Sequence, residues 1–159
     1  MLLTLLASLA CVSATGEDSD GDSDPCMPGG SPSVELGFGE LAFEVLDEDA
    51  PVELVYGPQG GYHVTMAIQG RYFDSEDFWE VQLSGWIDGV LVGYTAPYGA
   101  PRCNTAVGVL EATGLLLVWD AEPEDLHGRV AEVEAVVLDQ LGNTATATNS
   151  LTIWDSHQE

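Results

Sequence analysis

Apolar residues alternate with polar ones along most of the chain beyond residue 31, and this alternation restricts its fold more than any other feature. Val34, Leu36 and Phe38 stand at every second position, and the segment from Tyr62 to Ile68 repeats the pattern. A period of two places alternate side chains on the same face of a β-strand. The alternation predicts strands at 34–38, 41–45, 52–56, 62–68, 78–87, 90–95, 106–112, 114–119, 129–138 and 144–153. Since no segment has a convincing helical pattern, the sequence predicts an all-β protein.

Turn residues separate these segments at short intervals. Asp88-Gly89 is a strong signal for a two-residue hairpin, and a longer loop at 139–143 joins the last two predicted strands. Many short strands at a spacing of about 8–12 residues are typical of a sandwich or a barrel. The stretch from Ser31 to Asp155, about 125 residues, is long enough for one domain with one core.

The C-terminal part of the chain carries a more specific pattern. Residues 126–153 read LHGRVAEVEAVVLDQLGNTATATNSLTI. This segment resembles the last two strands of bacterial immunoglobulin-like and fibronectin-III-like domains, and the residues that match are Gly128, Ala135, Val137, Asp139, Gly142 and Asn143. The resemblance implies a single immunoglobulin-like β-sandwich over residues 32–155, followed by a short tail at 156–159.

The first eleven residues form a short apolar run that ends at Ala10 and Cys11. About nine apolar or small residues are too few to cross a bilayer, which takes roughly 20, so the run is typical of an export signal. Ala10-Cys11 resembles the lipobox of bacterial lipoproteins. The resemblance implies that residues 1–11 are the signal, that Cys11 is lipidated and that the protein is held at the bacterial cell envelope as an outer-membrane lipoprotein. Cleavage after Ala14 and plain secretion is the alternative, with an uncleaved chain as a third.

An acidic linker follows at residues 12–31. The stretch from Glu17 to Pro25 contains five acidic residues and no apolar one, so we expect it to be a disordered tether. The whole chain has a formal net charge of −24, with no lysine and three arginines. Such a chain is repelled by phosphate backbones and anionic membrane surfaces, which excludes nucleic acid as a partner and limits membrane attachment to the N-terminal anchor.

The cysteine count fits an oxidising compartment. With Cys11 assigned to lipid, Cys26 and Cys103 remain, and two cysteines of an exported protein are expected to pair. The bridge would close a loop of 77 residues and would stabilise the fold by about 4 kcal/mol on the chain-entropy model.

The most distinctive internal motif is a glycine-rich segment that precedes a predicted strand. The candidate binding loop consists of Gly57, Pro58, Gln59, Gly60, Gly61 and His63. Its glycines permit positive φ, and its N–H groups could form a nest for an anion or a carbonyl. The string resembles one in secreted lipoproteins of high-GC bacteria, a resemblance that implies no particular activity. The alternative is a plain turn, with His63 on the sheet face opposite Val64.

Acidic loops and aromatic residues supply two further candidate sites. Acidic clusters at 47–49, 74–77 and 120–125 could bind Ca²⁺ or could be solvated loops. Exposed tryptophan and tyrosine side chains could stack on sugar rings or could instead pack in the core, and the residues concerned are Phe73, Phe78, Trp79, Trp86, Tyr94, Tyr98, Trp119 and Trp154. Because Trp79 and Trp86 have opposite parity, at most one of them is expected to face the core.

No motif for catalysis is found: GxSxG, HExxH and a Cys/His pair are all missing from the sequence. The sequence therefore favours an exported, non-catalytic binding or structural module of the cell surface, without a cofactor, whose partner is a protein or a glycan. The alternative is a small-ligand-binding sandwich that uses calcium on the acidic loops or carbohydrate on the aromatic residues.

Overall fold

The structure is a computed structural model that describes residues 26, 29–58 and 60–158. The predicted signal with Cys11, nearly all of the predicted linker, and Gln59 of the candidate loop lie outside the described residues.

Strands make up nearly all of the regular structure. They are β1 (Ser33–Phe38), β2 (Glu44–Val45), β3 (Ala50–Glu53), β4 (Val55–Tyr56), β5 (Tyr62–Arg71), β6 (Trp79–Ile87), β7 (Val90–Thr95), β8 (Tyr98–Gly99), β9 (Arg102–Asn104), β10 (Val109–Trp119), β11 (Val130–Leu138) and β12 (Thr144–Trp154). Helical structure in the described part of the chain is limited to one turn, α1 (Pro123–Leu126), and a 3₁₀ turn, Ser156–Gln158.

The strands form two layers. The first layer has the order β1-β5-β10, with β2, β4 and β9 at its margins, and the second has the order β7-β6-β11-β12, with β3 parallel to β12. A single residue pair, Trp119 with Gly93, links the layers into one hydrogen-bonded path. The prediction of an all-β sandwich is confirmed.

One apolar core lies between the layers. Met66 and Leu117 from the first layer and Leu83 and Val133 from the second are all buried in it. Because polar residues alternate with these along each strand, the outer face of each layer meets solvent.

Several predicted strands differ from the observed ones. The strands predicted at 106–112 and 114–119 are one strand, β10, with a bulge between Ala112 and Leu115. The strand predicted at 41–45 is wrong except for β2, and Leu41 is 91% exposed in a loop. Strands β8 and β9 were not predicted, since two or three residues are too few to show a period.

The predicted disulfide between Cys26 and Cys103 is confirmed, with 5.8 Å between the two Cα atoms. It joins the segment ahead of β1 to β9, at the margin of the first layer. The bridge therefore links two residues that are 77 positions apart at the periphery of the sandwich. It does not join the two layers through the core.

Candidate binding surface

Strands β7 and β8 act as one edge strand of the second layer. Leu83 of β6 lies opposite Thr95, and Glu80 lies opposite Tyr98, so the register does not change across the interruption. Pro97 lies in this interruption, and its carbonyl accepts a hydrogen bond from the N–H of Val81. Because the N–H and C=O of one residue point to the same side of a strand, Pro97 cannot donate the reciprocal hydrogen bond to Val81, and this missing bond interrupts the edge strand.

Three aromatic side chains stand on the outer face of the second layer near this edge, Tyr94 and Tyr98 on the edge strand itself and Phe78 directly before β6. Tyr98 is 71% exposed, Phe78 is 59% exposed and Tyr94 is 51% exposed. We call Phe78, Tyr94 and Tyr98 the aromatic strip. Tyr94 and Tyr98 are four residues apart on a continuous register, which places them about 13 Å apart along the strand.

Polar groups lie beside the aromatic strip on β6. Glu80 is directly opposite Tyr98, and the Gln82 side chain donates a 3.0 Å hydrogen bond to the hydroxyl of Tyr94. A groove of about 260 Å³ crosses β6 between Tyr98 of β8 and Leu138 of β11. A second groove, of about 470 Å³, is lined by the rings of Phe78 and Tyr98 together with Asp77 and Gln140.

The tryptophans of β6 separate as their parity predicts. Trp79 is fully buried, packs against Phe73 with 5.2 Å between ring centroids and an interplanar angle of 48°, and donates its indole N–H to the carbonyl of Asp74. Trp86 lies on the outer face and is half-buried. The prediction that at most one of them faces the core is confirmed.

The glycine-rich segment forms the hairpin between β4 and β5. The N–H of Gly57 donates to the carbonyl of Gly61, and the N–H of Gly60 donates to the carbonyl of Gly57. These two N–H groups are thus engaged within the turn. His63 lies opposite Val118, on the face away from the buried Val64, which is the expected orientation.

A buried carboxylate lies at the same end of the sandwich as this hairpin. Asp155 accepts a 2.7 Å hydrogen bond from the hydroxyl of Tyr56 and a bond from the backbone N–H of His157. The Nδ1 atom of His157 lies 3.2 Å from the same carboxylate. Burial would raise the pKa of Asp155, but these hydrogen bonds outweigh it and lower the pKa. The hydrogen bond to Asp155 is the main cause that raises the pKa of Tyr56 to about 12.

Asp155 and His157 supply the carboxylate and the imidazole that a nucleophilic triad would need. The neighbouring hydroxyl, on Ser156, bonds instead to Glu53 at 3.1 Å. Within the described residues, this pair fastens the chain after β12 by holding the 3₁₀ turn.

The acidic loops do not gather in one place. Residues 74–77 lie where β5 leaves the first layer, and residues 120–125 lie at the opposite end, after β10. Within residues 26, 29–58 and 60–158, no group of three or more His, Cys, Asp and Glu side chains is arranged to hold a metal ion. Calcium binding stays a prediction that a calcium-dependent melting shift would test.

Sequence reasoning missed the cluster around Asp155, because Tyr56 and Asp155 are 99 residues apart and leave no local pattern. The sequence identifies the aromatic residues one by one but does not show that Phe78, Tyr94 and Tyr98 lie together, because the register of β7 and β8 past Pro97 leaves no local pattern. The available signal was the spacing of Tyr94 and Tyr98, which are four residues apart on either side of Pro97.

No protein-family model matches the chain, and no curated protein is similar to it in sequence. No helix in the described part of the chain is long and apolar enough to cross a membrane.

Proposed function

We propose that the chain is an exported, non-catalytic module of the bacterial cell surface that binds its partner through the aromatic strip. One observation carries this proposal: Phe78, Tyr94 and Tyr98 are the three most exposed aromatic side chains of the described residues, and each is more than half exposed to solvent. Aromatic side chains are over-represented among the residues that dominate binding energy. The two grooves beside Tyr98 supply concave surface for a partner.

Binding to envelope material tests this proposal. The purified full chain is mixed with washed envelopes of the bacterium that encodes it, and the bound fraction is sedimented. We expect Tyr98→Ala to lower the apparent affinity about tenfold or more, since truncation of a central aromatic anchor has effects of that order. The matched control is Tyr72→Ala, because Tyr72 is a half-exposed tyrosine outside the strip. Equal binding by the wild type and Tyr98→Ala would contradict the proposal.

The export part of the proposal has its own measurement. Mass spectrometry of the mature N-terminus from native membranes should find a diacyl or triacyl group on Cys11, which would then be the first residue. A mature chain that begins at residue 15 and carries no lipid would support plain secretion instead. The glycine-rich hairpin Gly57–His63 remains a second candidate surface, to be compared by a Gly60→Asn variant in the same sedimentation assay.

A further inference from the structure

We propose that the aromatic strip takes an uncharged linear polysaccharide, which lies along β7 and β8 with sugar rings against Tyr98 and Tyr94. This inference rests on the proposed function and names the chemical class of its ligand.

The shape of the surface fits an extended chain. Tyr94 and Tyr98 follow one edge strand at a separation of about 13 Å. The groove beside Tyr98 meets the groove beside Phe78, since Tyr98 lines both. The two grooves therefore join Phe78 to Tyr98, and Tyr94 extends this line along the edge strand on the same face.

The chemistry of the surface fits a sugar better than the core of a protein interface. A pyranose ring presents C–H groups on its faces and hydroxyl groups around its rim. The rings of Tyr98 and Tyr94 can contact the faces, while Glu80, Gln82 and Gln140 offer acceptors and donors to the rim. The centre of a protein interface is depleted of charged residues, whereas Glu80 lies directly opposite Tyr98.

The charges around the strip favour an uncharged ligand over an anionic one. The chain has no lysine, Arg129 pairs with Asp88 at 2.6 Å, and Arg71 donates to the carbonyl of Gly108. Arg102 lines a third groove that Tyr98 also borders, but Glu40 and Glu111 line that groove too, and Glu111 lies directly opposite Arg102. With Glu80 and Asp77 beside the strip, an anionic polysaccharide would be repelled, and an uncharged one would not.

The strip is held in place before any ligand arrives. The hydrogen bond from Gln82 restricts the ring of Tyr94, and Pro97 fixes one backbone dihedral angle between the two tyrosines. A surface with little remaining freedom loses less entropy when it binds.

Isothermal titration of the full chain with defined oligosaccharides tests the inference. The uncharged probes are cellohexaose, xylohexaose, mannohexaose and chitohexaose, and hexagalacturonate is the anionic counterpart. We expect at least one uncharged probe to bind, and we expect its affinity to fall at least tenfold in Tyr98→Ala and in Phe78→Ala but not in Tyr72→Ala. Because the ligand carries no charge, the affinity should change less than about twofold between about 50 mM and 500 mM salt.

Two results would overturn the inference. One is that none of the uncharged probes binds the wild-type chain, and the other is that the bound probe keeps its affinity in Tyr98→Ala. If the envelopes still bind the chain through Tyr98 but lose this binding after protease treatment, the partner is a protein. In that case the inference fails while the proposed function stands. If untreated envelopes show no binding that depends on Tyr98, the proposed function fails, and the inference that rests on it fails with it.

Discussion

Two carboxylates are buried among the described residues, Asp139 and Asp155. Each accepts hydrogen bonds from a segment that lies outside the strands and holds that segment in place. Asp139 accepts hydrogen bonds from the backbone N–H groups of Asp74, Leu141 and Asn143 and from the side chain of Asn143. It thereby joins the loop after β5 to the hairpin between β11 and β12. This explains, in physical terms, why an aspartate and an asparagine fall on the pattern recognised in the sequence.

The ionised state of Asp139 is the one that makes these bonds. Burial would raise its pKa, but the bonds from Asn143, Asp74 and Leu141 together lower the pKa below its usual value of 3.8. A carboxylate with a lowered pKa in the folded state stabilises the fold above its unfolded pKa. That contribution disappears as the pH falls through the lowered, folded-state value.

Replacement of Asp139 by alanine should therefore destabilise the fold at neutral pH. We expect Asp139→Ala to lower the free energy of unfolding by about 3 kcal/mol, because several N–H groups lose a charged acceptor. Urea unfolding at neutral pH and at about pH 3 measures the effect. The difference between the wild type and the variant should shrink at the lower pH, and a difference that does not change with pH would contradict the role of ionised Asp139.

Tyr56 offers a spectroscopic test of the second buried carboxylate. Its hydroxyl donates to Asp155, and this bond is the main cause that raises the pKa of Tyr56 to about 12. Since the folded-state pKa is raised, stability should be lost as the pH rises through that value. Absorbance titration of the five tyrosines should resolve one group near 12. Tyr56→Phe should remove that group from the titration, and its persistence in this variant would refute the assignment.

At the scale of elements, Trp119 sets the separation between β10 and the second layer. Its indole ring packs against Gly85 of β6 and Gly93 of β7, and a Cβ atom built on Gly85 would lie 2.6 Å from the ring. Trp119 is buried, so its ring has little room to move. Glycine is required at both positions because the ring occupies the space of a side chain, and not because of an unusual backbone angle.

Gly85→Ala should consequently damage the packing of the sandwich. We expect a loss of about 1–3 kcal/mol in the free energy of unfolding, because the methyl group must displace the indole ring. Gly29→Ala is the matched control, since a Cβ atom there meets nothing within 4 Å. Urea unfolding compares the two variants, and equal stability of both would show that the ring does not fill the space above Gly85.

Most strands could be predicted from the sequence because one face packs in the core and the other faces solvent. Apolar and polar residues therefore alternate along them. Strands β6 and β11 show the alternation in residues and in burial alike. The segment around Leu41 also alternates, but its backbone turns away from the layer, and alternation does not report backbone direction. The bulge in β10 looks like a break between two strands in the sequence, because one extra residue shifts the period of two.

The parallel pairing of β3 with β12 lay beyond the sequence. The two paired segments are four residues long and lie about a hundred positions apart, so their pairing leaves no local pattern. The sequence also does not determine whether the aromatic strip is exposed. Adjacent residues of a strand point to opposite faces, but this does not say which of Phe78 and Trp79 faces the core. Only the packing of Trp79 on Phe73 decides that question.

At the scale of the whole molecule, the disulfide restrains the unfolded chain. The bridge between Cys26 and Cys103 spans 77 residues, and the chain-entropy model gives about 4 kcal/mol for a loop of that size. We expect the double variant Cys26→Ala/Cys103→Ala to lose stability of that order in urea unfolding. A reducing agent should destabilise the wild type to the same degree and leave the double variant unchanged; an equal effect on both would mean that the bridge is not the restraint.

The central claim is that the partner lies on the aromatic strip, and site-specific photo-crosslinking on intact cells tests it most directly. A benzophenone side chain would replace Ala96, which lies between Tyr94 and Tyr98 on the outer face of the second layer. The control position is Glu35, an exposed residue of β1 in the first layer. We predict that illumination yields a crosslinked adduct from position 96 and none from position 35. An adduct from position 35 alone, or no adduct from position 96, would contradict the account.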